Sequence, residues 1–166
     1  MDLGTVGGWV VLVHALAGVL LLGALVGRWI LLGMAARAAD LASMRTITAA
    51  AAPFERIVIY GSLAVLGLGL AAAVVQGRPV LGPFQGGHVD WLFVALILFL
   101  SMVPIVPLVF LPRGRVFEAA MRDAEEHGEV TESLRAAWAD PVVRAAHVYE
   151  LTVVTVVLVL MLAKPF

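Results

Sequence analysis

The chain has 166 residues, of which 62% are hydrophobic and only 14% are charged, with a net charge of −1 and a mean hydropathy of +1.02. An ordinary soluble domain is about half apolar and about a quarter charged, so water is not the main solvent of this protein. The near-neutral charge gives no electrostatic basis for nucleic-acid binding, and the lack of cysteine excludes disulfides, thiolate metal ligands and thiol nucleophiles.

Four apolar segments set the predicted architecture. A helix needs about 20 residues to cross a hydrocarbon core of about 30 Å. Four segments reach this length, at residues 9–33, 57–76, 91–111 and 142–163. We therefore predict an all-α fold, a membrane four-helix bundle in a lipid bilayer with additional cytoplasmic helical connections, forming one domain over residues 1–166.

The two longer connections have helical patterns of their own. The spacing of Met34, Leu41 and Met44 predicts that the first helix continues into water, up to Pro53 at the start of the second helix. The pattern of residues 113–139 predicts an amphipathic helical segment. Gly128 interrupts this helix, and Thr131 can cap a second, short helix after it. This segment is expected to lie against the membrane or the cytoplasmic end of the bundle, in preference to binding a partner. Its apolar stripe comprises Val116, Phe117, Ala120, Met121 and Ala124, followed by Leu134 and Trp138.

Arginine and lysine near the helix ends predict the orientation. Eight lie in or beside the two longer connections, whereas only Arg78 and Lys164 lie on the other side. Basic residues are enriched on the cytoplasmic side of membrane proteins. We therefore expect a multi-pass protein of the bacterial inner membrane, with both termini and the turn-rich 77–90 loop outside.

His14 is a polar side chain at membrane depth in the first helix, about 9 Å below the outer surface at 1.5 Å per residue. Gly18 lies one turn later on the same face and leaves room beside the imidazole for a flat ligand such as haem. A second interpretation is a histidine that is hydrogen-bonded to a neighbouring backbone carbonyl.

A second group of polar residues is predicted near the inner membrane face. Glu150 lies about 12 Å inside the membrane and needs a cationic partner, for which Arg28 and Arg56 are the candidates. His147 shares its helical face. The group is explained either by a structural ion-pair network or by a functional site. Its members are Arg28, Glu55, Arg56, Tyr60, His147 and Glu150.

Two further features concern helix packing. Pro104 and Pro107 each remove a backbone donor, so the third helix should bend. The motif Gly23-x-x-x-Gly27 allows another helix to approach closely, either within the bundle or in a homo-oligomer.

The run Val13-His14-Ala15-Leu16-Ala17-Gly18, followed by Leu20-Leu21-Leu22-Gly23, resembles a group of bacterial four-helix integral membrane proteins. The group includes an uncharacterised family of predicted integral membrane proteins. It is distantly similar to copper-resistance-D-like proteins and to the J-type membrane protoporphyrinogen oxidase. The resemblance implies b-type haem ligation or redox work at the membrane, with His14 as a ligand. The intramembrane lysine of the oxidase type is missing here, because the only lysine is Lys164.

These observations lead to one preferred function and two alternatives. The preferred function is a membrane redox-associated protein that binds haem b through His14. His147 lies about 13 Å away in depth, which leaves His88, Met102 or Met161 as the possible second ligand. The alternatives are a non-catalytic accessory subunit of a larger membrane complex and a small transporter. No metal site is assigned, and no hydrolase-type catalytic set is present to define an enzyme.

Overall fold

The computed structural model describes residues 5–165 and is all-helical, with no strand in that range. A 3₁₀-helix at Gly82–Gln85 lies in the connection before the third apolar segment, and a π-helix occupies Val106–Phe110. The α-helices over the described residues are α1 (Val6–Ala35), α2 (Leu41–Val75), α3 (Trp91–Leu100), α4 (Leu111–His127), α5 (Glu132–Trp138) and α6 (Pro141–Ala163).

Three helical segments in the described range are long and apolar enough to cross a membrane, namely Val6–Ala35, Leu41–Val75 and Glu132–Ala163. Less than a quarter of the most apolar window of each is buried inside the protein. In water such exposed apolar surface would be unfavourable, whereas lipid covers it at no cost. The remaining apolar helix, Trp91–Leu100, is shorter, so a fourth crossing stays a prediction.

The centre of the bundle is a core to which all four apolar segments contribute. α1 packs mainly against α2, α3 packs against α6, and α6 also contacts α1. This arrangement holds Arg28 of α1 and Glu150 of α6 at the same level of the bundle. The buried core side chains are Leu21, Ala24, Leu25, Val58, Val65, Phe99 and Val154.

The prediction that the first helix continues toward Pro53 is wrong. Helix α1 ends at Ala35, and α2 begins at Leu41. The reason is the N-cap at Asp40, whose carboxylate accepts hydrogen bonds from the backbone N–H of Ser43 at 2.8 Å and from its hydroxyl at 2.7 Å. The polar residues assigned to a tail of the first helix therefore open the second one, and Pro53 lies inside α2.

The third apolar segment, in which Pro104 and Pro107 predicted a bend, is interrupted as an α-helix. Helix α3 ends at Leu100, a turn follows, and the π-helix leads into α4 without a loop. Pro104 and Pro107 lack the N–H that would continue the α-helical ladder. Single-turn π-helices are often associated with functional positions. This one presents Phe110 to α6.

The amphipathic segment packs on the end of the bundle, as predicted. Gly128 ends α4 in the left-handed conformation, with φ of 71°, and Thr131 caps α5 through the N–H of Leu134 at 3.4 Å. Ala124 and Leu134 are fully buried, although Val116 stays 63% exposed. We call this group of helices, α4, α5 and the beginning of α2, the cap. Its core comprises Ala35, Met44, Ala120, Ala124 and Leu134, with Phe117, Met121 and Trp138 packed against them.

Polar contacts hold the helices of the cap together and join the cap to α6. The indole N–H of Trp138 lies 3.1 Å from the sulfur of Met44. Arg45 of α2 pairs with Glu125 of α4 at 3.1 Å. An ion pair between Arg113 and Asp140 also joins the beginning of α4 to the N-terminus of α6. The cap covers part of the apolar stripe, whereas Val116 stays exposed and Phe117 and Met121 border an open groove.

Candidate functional site

His14 lies at the interface between α1 and α2, with its side chain half-buried. Its Nδ1 is 3.1 Å from the backbone carbonyl of Val65. A carbonyl can only accept, so Nδ1 carries the hydrogen and donates it. In the neutral imidazole this leaves the lone pair on Nε2, which has no hydrogen-bond partner among the described residues.

Gly69 of α2 makes room for the imidazole of His14. A Cβ atom at Gly69 would stand 2.9 Å from Cε1 and 3.4 Å from Nδ1 of the ring, so only glycine fits without a shift. A Cβ at Gly18 would meet no atom within 4 Å, and the space there is open. The sequence showed that α2 is rich in glycine, but it gave no signal that Gly69 faces His14.

The proposed second ligands lie in different surroundings. His88 is exposed in the connection before α3. Met102, in the turn after α3, packs against the bundle core, whereas Met161 packs near Trp91. None of the three forms a hydrogen bond or a ring contact with His14 in the described part of the chain. A second ligand therefore stays a prediction.

A buried cluster of charged and polar side chains lies toward the other end of α1. Arg28 of α1 donates from Nη2 to Oε2 of Glu150 at 2.5 Å, which confirms one of the two partners predicted for this carboxylate. The same Nη2 lies 3.1 Å from Nδ1 of His147, and that Nδ1 is 3.6 Å from Oε2 of Glu150. We call these three residues the Arg28 cluster.

Phe110 covers the Arg28 cluster from the π-helix. Its ring stacks on the imidazole of His147, with centroids 4.9 Å apart and planes inclined by 29°. The guanidinium carbon of Arg28 lies 5.8 Å from the same ring centroid, within range of a cation–π interaction. The sequence contained no signal for this role, because an apolar residue between prolines does not reveal which neighbour it faces.

The charges of the Arg28 cluster are paired. Arginine has no acceptor, so in the contact with His147 the guanidinium donates to Nδ1 of the imidazole. The carboxylate of Glu150 balances the charge of Arg28. Nε of Arg28 is buried without a hydrogen-bond partner among the described residues. A buried donor left unpaired costs about 1–3 kcal/mol, so this packing is not optimal for stability alone.

The other residues expected in this group lie elsewhere. Arg56 and Tyr60 are exposed on α2, and Tyr60 is 70% accessible. Glu55 borders a groove of about 550 Å³ between α2 and α4, beside Glu118 and Arg122. The structure therefore brings together three of the six predicted members and separates Glu55, Arg56 and Tyr60 from them.

A second polar contact lies next to the cluster on the surface of α6. The hydroxyl of Tyr149 is 2.7 Å from that of Ser101, which itself donates to the carbonyl of Leu98 at 2.5 Å. Tyr149 must therefore be the donor between the two hydroxyls. The pair borders a mainly apolar groove of about 430 Å³ between the interrupted segment and α6. It satisfies both hydroxyls at membrane depth.

The histidines and carboxylates of the described chain form no group of three or more that would hold a metal ion. Two polar features of the apolar segments are therefore candidates for a function, namely His14 with its free Nε2 and the Arg28 cluster. The contact of His14 joins the consecutive helices α1 and α2, whereas the Arg28 cluster joins α1 to α6.

Comparison with known proteins matches residues 9–165 to one family model, described as "Predicted integral membrane protein (DUF2269)". No curated protein and no solved structure matches the chain. The match supports the uncharacterised membrane family but not a relation to copper-resistance-D-like proteins or to the oxidase. Since the family model covers nearly the whole chain, this protein belongs to that family and is an integral membrane protein that lies in a lipid bilayer.

Proposed function

We propose that this protein is a membrane redox-associated protein that binds b-type haem through His14. The observation that supports this most is the hydrogen bond from Nδ1 of His14 to the carbonyl of Val65. Metal-ligating histidines usually donate their other ring N–H to a carbonyl or carboxylate, which fixes the tautomer and makes the ligating nitrogen more basic. His14 has this arrangement before any ligand is bound.

The donor chemistry of His14 fits haem, because its free Nε2 would hold the iron. Haem iron would supply one-electron chemistry at the membrane. The protein's own contribution is orientation, since Val65 holds Nδ1 and Gly69 holds the ring edge. Open space at Gly18 is consistent with a planar group along that face of α1. We propose that His14 would hold the haem either alone or together with His88, Met102 or Met161.

Absorption spectra of the protein purified from haem-replete cells, oxidised and reduced, test the proposal. We expect a Soret band that His14→Ala removes almost completely while the protein remains folded. His127→Ala is the matched control, because His127 is an exposed histidine at the end of α4, and the band should persist. Purified wild-type protein without any Soret band would refute haem binding and leave His14 as a structural hydrogen-bonding residue.

The two alternatives rely on other features. An accessory subunit would be favoured by a free apolar stripe ending at Trp138, but the cap buries most of this stripe. A small transporter is favoured by the Arg28 cluster beside the interrupted third segment. Neither alternative requires a chromophore, so the same spectra distinguish them from haem binding.

A further inference from the structure

Two cations from distant parts of the chain meet at one tryptophan. The guanidinium carbon of Arg78 lies 5.4 Å from the ring centroid of Trp91, and Nζ of Lys164 lies 5.6 Å from the same centroid. Trp91 begins α3 and is only 8% exposed, whereas both cations are exposed. The end of α2, the beginning of α3 and the end of α6 therefore meet here.

Backbone hydrogen bonds fix the position of Arg78. Gly77 follows the end of α2 in the left-handed conformation, with φ of 64°. The N–H of Gly77 donates a hydrogen bond to the carbonyl of Val74 at 3.0 Å, and the N–H of Arg78 donates one to the carbonyl of Ala73 at 2.9 Å. These two bonds form a Schellman motif, a stable helix end. Arg78 is thus held beside Trp91 by its backbone.

Lys164 ends α6 in a conformation that glycine would adopt more easily. Its φ is 45°, the only positive value for a non-glycine residue in the described chain. Its N–H bonds to the carbonyl of Leu160 at 2.9 Å. A side chain in this region costs free energy relative to glycine, and such strain is a reason to look for a function of the side chain.

Neither cation has a carboxylate partner among the described residues. No ion pair within that range includes Arg78 or Lys164. The nearby carboxylate of Asp90 caps α3 and accepts from the N–H of Phe93 at 2.9 Å. Each cation benefits from the helix dipole and from the tryptophan face. With two cations at the ring of Trp91 and one carboxylate on the preceding residue, Asp90, the local charge is +1, which an anion would neutralise.

We propose that Arg78, Lys164 and Trp91 form a binding site for the phosphate of an anionic phospholipid headgroup. The site lies where three apolar helices end, which is the level of the lipid headgroups, and tryptophan is enriched at that level. Basic side chains attract anionic lipid surfaces, and arginine also binds phosphate through several donors. The lipid would join α2, α3 and α6, which are distant in sequence.

The test uses the full-length protein, labelled with ¹⁵N-tryptophan, in micelles of a neutral detergent. The indole N–H signal of Trp91 is assigned by its loss in Trp91→Phe. We expect phosphatidylglycerol to shift this signal saturably at a lower mole fraction than phosphatidylcholine. Removing one cation, in Arg78→Gln, should raise the half-saturating mole fraction about fivefold. An equal response to both lipids would overturn the proposal.

Two further variants control for folding and for general charge. Lys164→Gly removes the cation and relieves the positive φ, so it should fold at least as well as wild type and still bind less phosphatidylglycerol. Arg37→Gln with Arg115→Gln removes two exposed cations at the other end of the bundle and should leave the Trp91 titration unchanged. If Lys164→Gly binds like wild type, Lys164 is not part of the site.

A titration with inorganic phosphate distinguishes a site for a lipid headgroup phosphate from a site for the free phosphate ion. Added alone, it should produce little shift of the Trp91 signal, because the lipid is also held by its acyl chains in the micelle. Saturation of the same shift by inorganic phosphate at the phosphatidylglycerol concentration would show a site for the free anion and would overturn the lipid assignment.

Discussion

Glu150 illustrates what the sequence reveals about a single residue and what it does not. Its depth in an apolar helix predicted a cationic partner, because an unpaired carboxylate is unstable in lipid. The partner is Arg28, one of the two predicted cations. Nothing in the sequence predicts that Phe110 and Gly69 are neighbours of the Arg28 cluster and of His14. Their roles depend on how each helix is rotated about its axis, and no alternation of polar and apolar residues fixes that rotation in a segment surrounded by lipid.

We expect Glu150→Gln to destabilise the protein by about 3–5 kcal/mol, because it leaves the guanidinium of Arg28 buried without its counter-charge. Glu126→Gln is the matched control, since Glu126 is an exposed acid on α4, and it should change stability by less than about 0.5 kcal/mol. Thermal unfolding in detergent measures both. Equal losses in the two variants would show that the ion pair does not stabilise the bundle.

Gly69→Ala is expected to destabilise the protein by about 1–3 kcal/mol, because the new methyl group would stand 2.9 Å from the imidazole of His14. Gly67→Ala is the control, since nothing lies within 4 Å of a Cβ there. In a His14→Ala background, the destabilisation caused by Gly69→Ala should largely disappear. A full cost in that background, measured by unfolding in mixed micelles, would mean that the ring of His14 does not occupy this space.

At the scale of helices, the sequence features that correctly predicted where helices end or change were residues with a local effect on the backbone. Gly128, Thr131 and the two prolines each change the backbone at their own position, and the structure follows them. The wrong prediction of a continuous helix across residues 36–40 also has a local cause. Asp40 followed by Ser43 is a capping pattern, but the alanines around it continue a helical spacing that masked it. The side-chain hydrogen bond of Asp40 starts a new helix here, although the helical spacing of the alanines continues across it.

The end of α4 provides a prediction on pH. His127 donates from Nδ1 to the backbone carbonyl of Asp123 at 2.8 Å, and the same nitrogen lies 3.4 Å from the carboxylate of Asp123. The hydrogen bond to that carbonyl, followed by the charge of Asp123, raises the pKa of His127 above its ordinary 6.5. The protonated form therefore stabilises the folded state. This contribution is complete below pH 6.5 and disappears as pH rises through the higher pKa of the folded protein.

An NMR titration of the His127 ring measures this pKa. We expect a value above 6.5 in the wild type and a smaller increase in Asp123→Asn, where the backbone carbonyl remains and the charge is lost. A pKa at or below 6.5 in the wild type would contradict the contacts seen at the end of α4.

For the whole molecule, the hydrophobicity of the sequence was sufficient to predict an all-helical protein that lies in a lipid bilayer. The described chain is all-helical, and three of its segments have the length and composition of membrane spans. Which helices pair could not be predicted, because lipid-facing and core-facing residues are equally apolar. The orientation in the membrane follows from charge counts alone and stays a prediction.

Labelling of single-cysteine variants tests that orientation, and the chain offers a clean background because it contains no cysteine. We expect Glu126→Cys in the cap to be protected from an impermeant thiol reagent in intact cells and labelled after lysis. Phe84→Cys, at an 83% exposed position in the loop before α3, should be labelled in both conditions. The reverse pattern would place the cap outside the cell.

The cap has a consequence for how the protein melts. Its core includes Ala35, Ala124 and Leu134, none of them accessible, and it lies among helices with many charges. Unfolding of the cap exposes these side chains to water, which raises the heat capacity. The apolar surface of helices that separate within a bilayer exchanges protein contacts for lipid tails and adds little. A heat-capacity step measured by calorimetry would therefore report the unfolding of the cap. The apolar helices, although they are the larger part of the molecule, would separate with almost no change in heat capacity.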